Sequence, residues 1–286
     1  MKRIAILGLG LVGGSLALAI RRANLAEQIT GYDAYYDAIR RAMERGAITH
    51  CAATAEEAVR QVDVVIVATP IGAIPALFQC IAPALKPGTL VTDTASTKAQ
   101  VIEWARRLLP EHAVFVGGHP MAGRERSGIE AADAGLVEGC MYCLTPAHDT
   151  PQDAVEQLSG LVRGLAAQPF VLDGWEHDRL VAGISHLPFV VSAALVRMLG
   201  QDEEWARMSQ LAASGYRDMS RLAAGSPVMY QDICLTNKQA IIDRIDALVT
   251  ELASLRLLIA AGDDALEGYF ARSKDIRDGL LERKTT

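Results

Sequence analysis

Long apolar runs, basic clusters and paired cysteines are all scarce in this chain of 286 residues. No stretch of 18 or more apolar residues occurs, so the sequence predicts no membrane-spanning helix and no membrane partner. Lysines and arginines are scattered and the formal net charge is −6, which argues against a nucleic-acid partner. The five cysteines form a sparse, odd set with no signal peptide before them, so we expect reduced thiols and a cytoplasmic protein.

Two of the cysteines, Cys140 and Cys143, have the C-x-x-C spacing of zinc sites and redox pairs. A zinc site needs about two further ligands, and the sequence has no second C-x-x-C and no histidine pair to supply them. A redox pair usually opens a helix, whereas Cys140–Leu144 has the pattern of a buried strand. We therefore interpret both cysteines as structural and predict no metal site.

The chain up to about residue 173 alternates between short β-rich runs and helical patterns. Val62–Ala68 is apolar on both faces apart from Asp63, as a central parallel strand covered by helices requires. The alternation predicts a doubly wound α/β sheet of the Rossmann type in residues 1–173. The predicted strands are Arg3–Leu7, Ile29–Tyr32, Val62–Ala68, Thr89–Thr92, Val114–Gly117 and Cys140–Leu144. The predicted helices are Gly13–Ala23, Tyr36–Arg45, Ile74–Ala84, Lys98–Leu108 and Pro151–Ala166.

Residues 174–286 have long helical patterns and few strand signals, and they predict an all-α C-terminal domain. In Thr236–Ala261 the apolar residues keep helical spacing and form a stripe that is broad for a surface helix. A homodimer that buries such stripes would explain them, and a self-contained helical bundle is the alternative. The predicted helices are His177–Leu199, Glu203–Ala223, Pro227–Leu235, Thr236–Ala261 and Asp264–Leu281.

A glycine-rich turn follows the first predicted strand and opens the first predicted helix. Its glycines, Gly8, Gly10 and Gly13, fit the pattern G-x-G-x-x-G, with Leu11 and Val12 between the last two. The first glycine permits a tight turn, the second lets the backbone approach a pyrophosphate, and the third lets helix and strand pack closely. Because a helix N-terminus also offers free N–H groups to phosphates, these five residues predict a dinucleotide site.

An acidic residue, Asp33, stands just past the second predicted strand. At this position a carboxylate accepts hydrogen bonds from the adenosine ribose hydroxyls and repels a 2′-phosphate, which favours NAD over NADP. Arg40 and Arg41 follow within two helical turns, on a helix that we expect to point them outward. The sequence therefore predicts NAD as the cofactor.

Two further strand ends carry polar residues. Thr69 and Pro70 end the strongest apolar strand, where side chains line the cofactor crevice of such sheets; Thr69 could equally be a simple strand terminator. Ser96 lies in the segment Asp93–Lys98, between a strand and a helix. The local sequence alone predicts that Ser96 or Thr97 is the N-cap of the following helix. Because the segment lies at the carboxyl end of a strand, a role for Ser96 in the active site is also possible.

A dehydrogenase that oxidises an alcohol needs a base for the hydroxyl proton, and histidine is the usual base because its pKa lies near neutrality. His119 follows a predicted strand in a loop that Pro120 and flanking glycines hold open at the carboxyl edge of the sheet. That position makes it the candidate base. His186 lies inside an apolar helical stretch, where a histidine is more often a core residue than a ligand.

Five motifs, taken together, point to a family. They are Gly8–Ser15, Asp93–Lys98, Gly118–Gly123, Ser185–Pro188 and Gly215–Ala223, in this order along the chain. Through them the sequence resembles the prephenate/arogenate dehydrogenase family of tyrosine biosynthesis, over nearly the whole chain. One such motif is weak, whereas five in register are very specific.

The resemblance implies an NAD-dependent oxidative decarboxylation of prephenate. Hydride would leave C4 of the cyclohexadiene ring for the nicotinamide, the 4-hydroxyl would lose its proton, and the C1 carboxylate would depart as CO2. Aromatisation drives this reaction, so metal assistance is unnecessary. The product would be 4-hydroxyphenylpyruvate; arogenate, which would give tyrosine directly, is the alternative or additional substrate.

The resemblance also implies roles for five residues. His119 would be the base for the 4-hydroxyl, and Ser96 would orient that hydroxyl. His186 would be a polar contact to the substrate. Arg221 would supply a fork-shaped cation for a substrate carboxylate, and Glu125 would gate the entrance.

One departure and two alternatives remain open. Phe189 stands where family members often carry a second histidine, which leaves the choice between prephenate and arogenate undecided. A β-hydroxyacid dehydrogenase also has a Rossmann domain before a helical one, but it relies on a catalytic lysine, and the surroundings of Lys238 do not match that motif. A non-catalytic, nucleotide-sensing regulator is the third hypothesis, and the intact His119, Ser96 and Arg221 argue against it.

Overall fold

The structure is a computed structural model that describes residues 2–123, 126–262 and 264–285. Its strands are β1 (Arg3–Leu7), β2 (Gln28–Tyr32), β3 (His50–Cys51), β4 (Val64–Val67), β5 (Leu90–Asp93), β6 (Val114–Pro120), β7 (Met141–Pro146) and β8 (Gln168–Val171). Across the described residues they form one sheet in the order β3-β2-β1-β4-β5-β6-β7-β8. Strands β1 to β6 run parallel, β7 runs antiparallel to β6, and β8 runs parallel to β7.

The helices of the described residues follow the strands and then dominate the last third of the chain. They are α1 (Leu11–Arg22), α2 (Tyr36–Glu44), α3 (Ala55–Val59), α4 (Ile74–Ile81), α5 (Ala99–Leu108), α6 (Gln152–Gly164), α7 (Gly174–Val181), α8 (Leu187–Gly200), α9 (Trp205–Met208), α10 (Ser214–Ser220), α11 (Pro227–Thr236), α12 (Lys238–Ala261) and α13 (Ala265–Thr285). Together with the strand order they confirm the predicted Rossmann-type doubly wound sheet followed by a helical region.

Strand β4 occupies the centre of the parallel sheet, as its apolar sequence predicts. All four of its residues are buried, and it pairs with β1 on one side and β5 on the other. Register places the last residues of four strands side by side, in the order Tyr32, Leu7, Val67 and Asp93. The turns that follow these strands therefore meet at one edge of the sheet, the carboxyl edge.

Several elements differ from the sequence prediction. The two-residue strand β3, strand β8 and helix α3 were not predicted, because such short segments carry little periodicity. The predicted helix Glu203–Ala223 is wrong: it divides into α9, α10 and 3-10 turns, and the backbone is extended at Ala213 just before Ser214 and Gly215. The predicted strand with Cys143 is β7, and both Cys140 and Cys143 are free thiols.

The predicted helix His177–Leu199 is continuous from α7 to α8, but it contains a π turn at Ala182–His186. A π turn widens the helix by one residue and is frequent at functional positions. By length and composition alone this helix, Gly174–Gly200, is the one candidate membrane span among the described residues. It buries His177 and His186, although only 28% of its most apolar window is buried. The absence of a membrane partner stays a prediction.

By contacts the chain divides into two compact units, Met1–Lys238 and Gln239–Thr286. The first contains the whole sheet and helices α1 to α11. The second consists of most of α12 together with α13, and many of its large apolar side chains are exposed. This division differs from the predicted domain boundary after residue 173, because α7 contacts β7 and α11 contacts the 3-10 turn that follows β4; the predicted sequence domains 1–173 and 174–286 stay a prediction.

The glycine turn joins β1 to α1 and is tightly packed at two of its three glycines. Gly8 has a φ of +97°, and a Cβ there would lie 2.5 Å from the carbonyl oxygen of Ala68. A Cβ on Gly13 would overlap the carbonyl oxygen of Gly8. By contrast, a Cβ on Gly10 would meet nothing within 4 Å. The fold itself therefore needs Gly8 and Gly13, whereas Gly10 faces open space.

This difference predicts opposite effects of two alanine substitutions on stability. Gly13→Ala should lower the free energy of unfolding by about 2 kcal/mol or more, because the added methyl group overlaps a backbone oxygen that cannot move away. Gly10→Ala, the matched control, should change it by less than about 1 kcal/mol. Urea denaturation followed by circular dichroism measures both, and equal losses in the two variants would contradict the packing argument.

Candidate active site

The N-terminus of α1 opens at the carboxyl edge of the sheet. Gly10 is its N-cap and provides no side-chain cap, and the first turn contains no acidic residue. The first-turn residues Leu11 and Val12 are half-buried. Uncapped N–H groups and the positive end of the helix dipole suit a phosphate, and the open space at Gly10 leaves room for one to approach. The turn therefore fits the pyrophosphate of a dinucleotide.

The carboxylate of Asp33 is fixed beside this turn by two backbone hydrogen bonds. Its Oδ2 accepts from the N–H of Leu9 at 2.7 Å, and its Oδ1 accepts from the N–H of Tyr35 at 2.9 Å. Each oxygen of a carboxylate can accept a further bond. The orientation therefore suits the recognition of ribose hydroxyls and is unfavourable to a 2′-phosphate.

The two arginines that follow Asp33 are both engaged in ion pairs on α2. Arg40 pairs with Asp37 and Glu44. Arg41 pairs with Asp37 at 3.6 Å and with Glu130. Both arginines form these pairs with exposed side chains, and exposed ion pairs are weak. The preference for NAD over NADP therefore depends on the carboxylate of Asp33, which is unfavourable to a 2′-phosphate.

Thr69 lies where β4 ends, directly beside the glycine turn. Its backbone nitrogen lies 3.0 Å from the position of a Cβ on Gly8, and Pro70 after it is the N-cap of the 3-10 turn Ile71–Ala73. The Oγ1 of Thr69 is buried and makes no hydrogen bond within the described part of the chain. A buried hydroxyl without a partner is costly, and a polar group of the cofactor would supply one here.

A buried ion pair lies beneath the next strand end. The ammonium of Lys98 is fully buried, pairs with Asp93 and donates to the carbonyl oxygen of Gly118 at 2.7 Å. Asp93 in turn accepts from the N–H groups of Ala95 and Gly118. Burial lowers the pKa of Lys98, and Asp93 opposes that effect. The pair joins the ends of β5 and β6 and forms the floor under the loop that carries Ser96.

The predicted side-chain cap of α5 is wrong. Neither Ser96 nor Thr97 caps the helix, whose N-cap residue, Lys98, makes no side-chain cap. Instead the carboxylate of Asp178 accepts from the backbone N–H of Lys98 at 2.7 Å and of Ala99 at 3.0 Å. The cap thus comes from α7, and the hydroxyl of Ser96 is not used as the helix cap.

His119 lies within β6, which extends to Pro120, so the predicted placement in an open loop after Gly117 is wrong. The side chain is buried. Its Nδ1 lies 2.9 Å from Nε2 of His177, and Nδ1 of His177 lies 2.8 Å from Oδ1 of Asp178. Burial lowers the pKa of His119 well below its usual value, and His177, Lys98 and His186 lower it further. His119 is therefore neutral at neutral pH and able to accept a proton.

His186 lies in the π turn and is fully buried. Its Nδ1 lies 3.2 Å from the amide nitrogen of Asn237, which donates to the backbone carbonyl of Asp178 at 2.7 Å. Its Nε2 makes no hydrogen bond of standard geometry within the described residues. Burial lowers the pKa of His186 to about 4, and the backbone of Ser96 lies close enough to oppose the shift. His186 and Ser96 are therefore neighbours at the edge that carries His119.

Arg221 begins the 3-10 turn Arg221–Ala224 and is exposed. The turn is held against α8 by an aromatic pair, because Phe189 is buried and stacks on Tyr230 with ring centroids 4.0 Å apart. The hydroxyl of Tyr230 donates to the carbonyl oxygen of Leu222 at 2.6 Å. Phe189 thus serves in packing, and a contact of Arg221 with a substrate stays a prediction. Glu125, the predicted gate, lies outside the described residues.

Two family models match the chain. Residues 16–171 match the nucleotide-binding domain of prephenate dehydrogenase, and residues 173–272 match its dimerization domain. The prephenate dehydrogenase of Bacillus subtilis is 38% identical, over 98% of this chain and 76% of that protein. The chain belongs to the prephenate dehydrogenase family. The cyclohexadienyl dehydrogenase of Zymomonas mobilis, 32% identical over 98% of this chain and 96% of that one, is a further relative.

Solved structures of the prephenate dehydrogenase family share the whole architecture. That of prephenate dehydrogenase from Aquifex aeolicus, in complex with hydroxyphenyl propionate and NAD+, has a TM-score of 0.92 at 28% identity and 98% coverage of both chains. Synechocystis arogenate dehydrogenase has a TM-score of 0.84 at 29% identity, covering 98% of this chain and all of that one. A 3-hydroxyisobutyrate dehydrogenase of Mycobacterium tuberculosis has a TM-score of 0.56 at 16% identity, over 91% of this chain and 94% of that one, and shares the fold alone.

The structure of this prephenate dehydrogenase family member brings together residues that the sequence pointed to and residues that it did not. The glycine turn, Asp33 and Thr69 share one end of the carboxyl edge, and His119 lies on the same edge two strands from β4. His177 and Asp178 were missed. Their one sequence signal is an adjacent polar pair at the start of an apolar helix, which is a common pattern for an exposed helix end.

The depressed histidine pKa values predict a loss of stability in mild acid. A histidine whose pKa is lower in the folded than in the unfolded protein binds its proton more tightly when unfolded, so stability falls as the pH drops from about 6.5 towards 4. For His186, with a pKa of about 4, the loss approaches about 3 kcal/mol, and His119 acts in the same direction. Urea denaturation at pH 7.5, 6.5, 5.5 and 4.5 measures it.

His186→Gln should flatten this pH dependence, because the variant removes the titrating ring. His148→Gln is the matched control, since His148 is exposed and its replacement should leave the slope as it is. An unchanged slope in His186→Gln would show that the acid loss arises elsewhere.

Proposed function

We propose that the protein is an NAD-dependent prephenate dehydrogenase that forms 4-hydroxyphenylpyruvate, CO2 and NADH in tyrosine biosynthesis. The observation that carries this proposal is the neutral, buried His119 on the same sheet edge as the glycine turn, in a chain of this family. Relatives named for prephenate, cyclohexadienyl and arogenate substrates support the substrate class.

In this proposal the residues that follow β1, β2 and β4 at the carboxyl edge of the sheet bind the cofactor. Gly8, Gly10 and Gly13, with Leu11 and Val12, receive the pyrophosphate, and Asp33 binds the adenosine ribose. Thr69 and Pro70 line the crevice towards the nicotinamide. Bound NAD supplies the acceptor for the hydride that leaves C4 of the substrate. The solved Aquifex aeolicus complex with NAD+ supports this choice.

His119 removes the proton of the 4-hydroxyl while Ser96 orients that hydroxyl. A buried base in its neutral form accepts the proton without first losing one of its own. Once C4 is a carbonyl carbon, the bond between C1 and the carboxylate breaks, CO2 leaves, and its electron pair makes the ring aromatic. The carbonyl oxygen becomes a phenolate oxygen and takes back a proton, so the reaction needs no metal.

The substrate carboxylates need counter-charges in a site that excludes water. Arg221 supplies one, in a geometry that suits a bidentate pair, and His186 supplies a polar contact through its Nε2. The resemblance to the family implies a gating role for Glu125. Arogenate differs from prephenate only in the side chain, where an amino group replaces the keto oxygen, so the same residues serve an arogenate or dual-substrate enzyme.

The helical region forms a homodimer in this proposal. The family model that matches residues 173–272 is a dimerization domain. Large apolar side chains are exposed within one chain, among them Ile184 and Met198 around α8 and Val249 and Leu252 in α12. Exposed apolar stripes of this kind mark interaction surfaces. A small-molecule substrate and a cytoplasmic location complete the proposal.

The proposed substrate and cofactor are tested together by initial rates. With prephenate and NAD the protein should form NADH and 4-hydroxyphenylpyruvate, with a higher kcat/KM than with NADP. Arogenate with each cofactor is measured alongside, and a higher kcat/KM for arogenate would transfer the assignment to arogenate dehydrogenase.

His119→Asn should lower kcat about 10²–10⁴-fold with little change in NAD affinity, because it removes the base and not the cofactor site.

His148→Asn is the matched control for that variant, since it replaces an exposed histidine and should keep full activity. Comparable turnover in His119→Asn and the unmodified protein would refute the assignment of the base.

The proposed dimer is tested by mass in solution. Sedimentation equilibrium should give about twice the chain mass of 30.7 kDa. Leu252→Glu should shift the protein towards the monomer, because it places a charge in an apolar interface. Arg256→Gln, an exposed polar change on the same helix, is the control. A monomer in the unmodified protein would favour the self-contained helical bundle.

A further inference from the structure

Three buried side chains form a continuous hydrogen-bonded chain that ends at the proposed base. His119 contacts His177 at 2.9 Å, and His177 contacts Asp178 at 2.8 Å. Their residues are only 9%, 0% and 3% exposed. The two imidazole rings meet edge to face, with centroids 5.1 Å apart. Such a chain leaves few choices for where its protons lie.

The hydrogen bonds of Asp178 fix the first proton. Its oxygens accept from the N–H groups of Lys98 and Ala99 as well as from the ring of His177. Carboxylate oxygens that already accept these backbone bonds are also the acceptors for the ring of His177, so Nδ1 of His177 carries a hydrogen and is the donor in this contact. In a neutral ring Nε2 is then the acceptor, and it must accept from Nδ1 of His119.

We propose that His177 is a positioning residue that, held by Asp178, keeps His119 in the tautomer with a proton on Nδ1 and a free lone pair on Nε2. Nε2 is then the atom that takes the hydroxyl proton of the substrate. The inference deepens the proposed function and rests on it only in naming that proton's donor. In catalytic triads a carboxylate orients the catalytic histidine directly, whereas here His177 lies between Asp178 and His119.

The same chain can stay intact after His119 has taken the proton. A ring protonated on both nitrogens still donates from Nδ1 to Nε2 of His177, and Asp178 lies one ring further away. The groups that surround His119 are Lys98, His177 and His186, which oppose its protonation, Asp93 in its pair with Lys98, and Cys143 and Tyr142 on β7 beside it. Of the two nearby carboxyl groups, those of Asp93 and Asp178, the hydrogen-bonded chain connects Asp178 to the base.

A merely structural role is the competing explanation, because the chain also ties α7 to the sheet. Two substitutions at His177 separate the two roles. His177→Gln can keep an amide oxygen near the position of Nε2, where it accepts from Nδ1 of His119. His177→Leu fills similar space but accepts nothing. Both leave the bonds from Asp178 to the backbone of α5 possible.

The decisive measurement is the tautomer of His119, read by nitrogen NMR of the full chain with ¹⁵N-labelled histidine at pH 8. His119→Asn identifies the signals of His119 by their loss. The unmodified protein and His177→Gln should show His119 protonated on Nδ1, and His177→Leu should show protonation shifted to Nε2. Protonation on Nε2 in the unmodified protein would overturn the inference, whatever the folding of the variants.

Kinetics provide the second readout. In His177→Leu kcat should fall about hundredfold, and in His177→Gln about tenfold, while the KM for NAD changes less than about twofold in both. Equal losses in the two variants would show a structural role and overturn the positioning role. If the tautomers are as stated but neither prephenate nor arogenate is turned over, the proton chain stands and the proposed function fails.

Discussion

The carboxylate of Asp178 accepts hydrogen bonds from the backbone of Lys98 and Ala99 and from the ring of His177. It is buried, so these donors replace the hydrogen bonds that water otherwise gives to a carboxylate. They also place an anion at the N-terminus of α5, where the helix dipole favours it. His177 in turn contacts His119. The buried side chain of Asp178 thus connects α7 both to the start of α5 and, through His177, to the end of β6, where the proposed base lies.

The buried ion pair between Lys98 and Asp93 lies beneath the loop that carries Ser96, and it is next to two glycines of β6. A Cβ on Gly118 would lie 2.5 Å from the carbonyl oxygen of Asp93, and a Cβ on Gly117 would lie 2.3 Å from Oγ1 of Thr145 and 3.3 Å from Cδ of Lys98. The absence of a side chain at Gly118 therefore lets β6 lie against Asp93, and Gly117 leaves room for Thr145 on β7. Removing one member of such a buried ion pair lowers the free energy of unfolding by about 3–5 kcal/mol. Lys98 and Asp93 therefore contribute to the stability of the sheet as well as to the shape of the site.

The sequence predicted the features that depend on local patterns. Strand β4 is apolar on both faces, and it lies at the centre of the sheet. The glycine turn and Asp33 follow spacing rules of one fold, and they lie together. What could not be predicted depends on contacts between distant segments: His177 meets His119 across 58 residues, and Asp178 caps a helix 80 residues earlier. No spacing rule connects such positions, and a local cap at Ser96 or Thr97 was the natural but wrong choice.

The π turn at Ala182–His186 has a consequence for the length of the chain in this segment. A π turn holds one residue more than an α-helical turn, and one residue corresponds to about 100° of rotation about a helix axis. Deleting a single residue here would leave a regular helix but rotate Phe189 and the rest of α8 away from their present direction relative to His177. The extra residue determines the direction in which the side chains of α8 point relative to those of α7. The number of residues in this segment therefore matters for the fold as well as their identity.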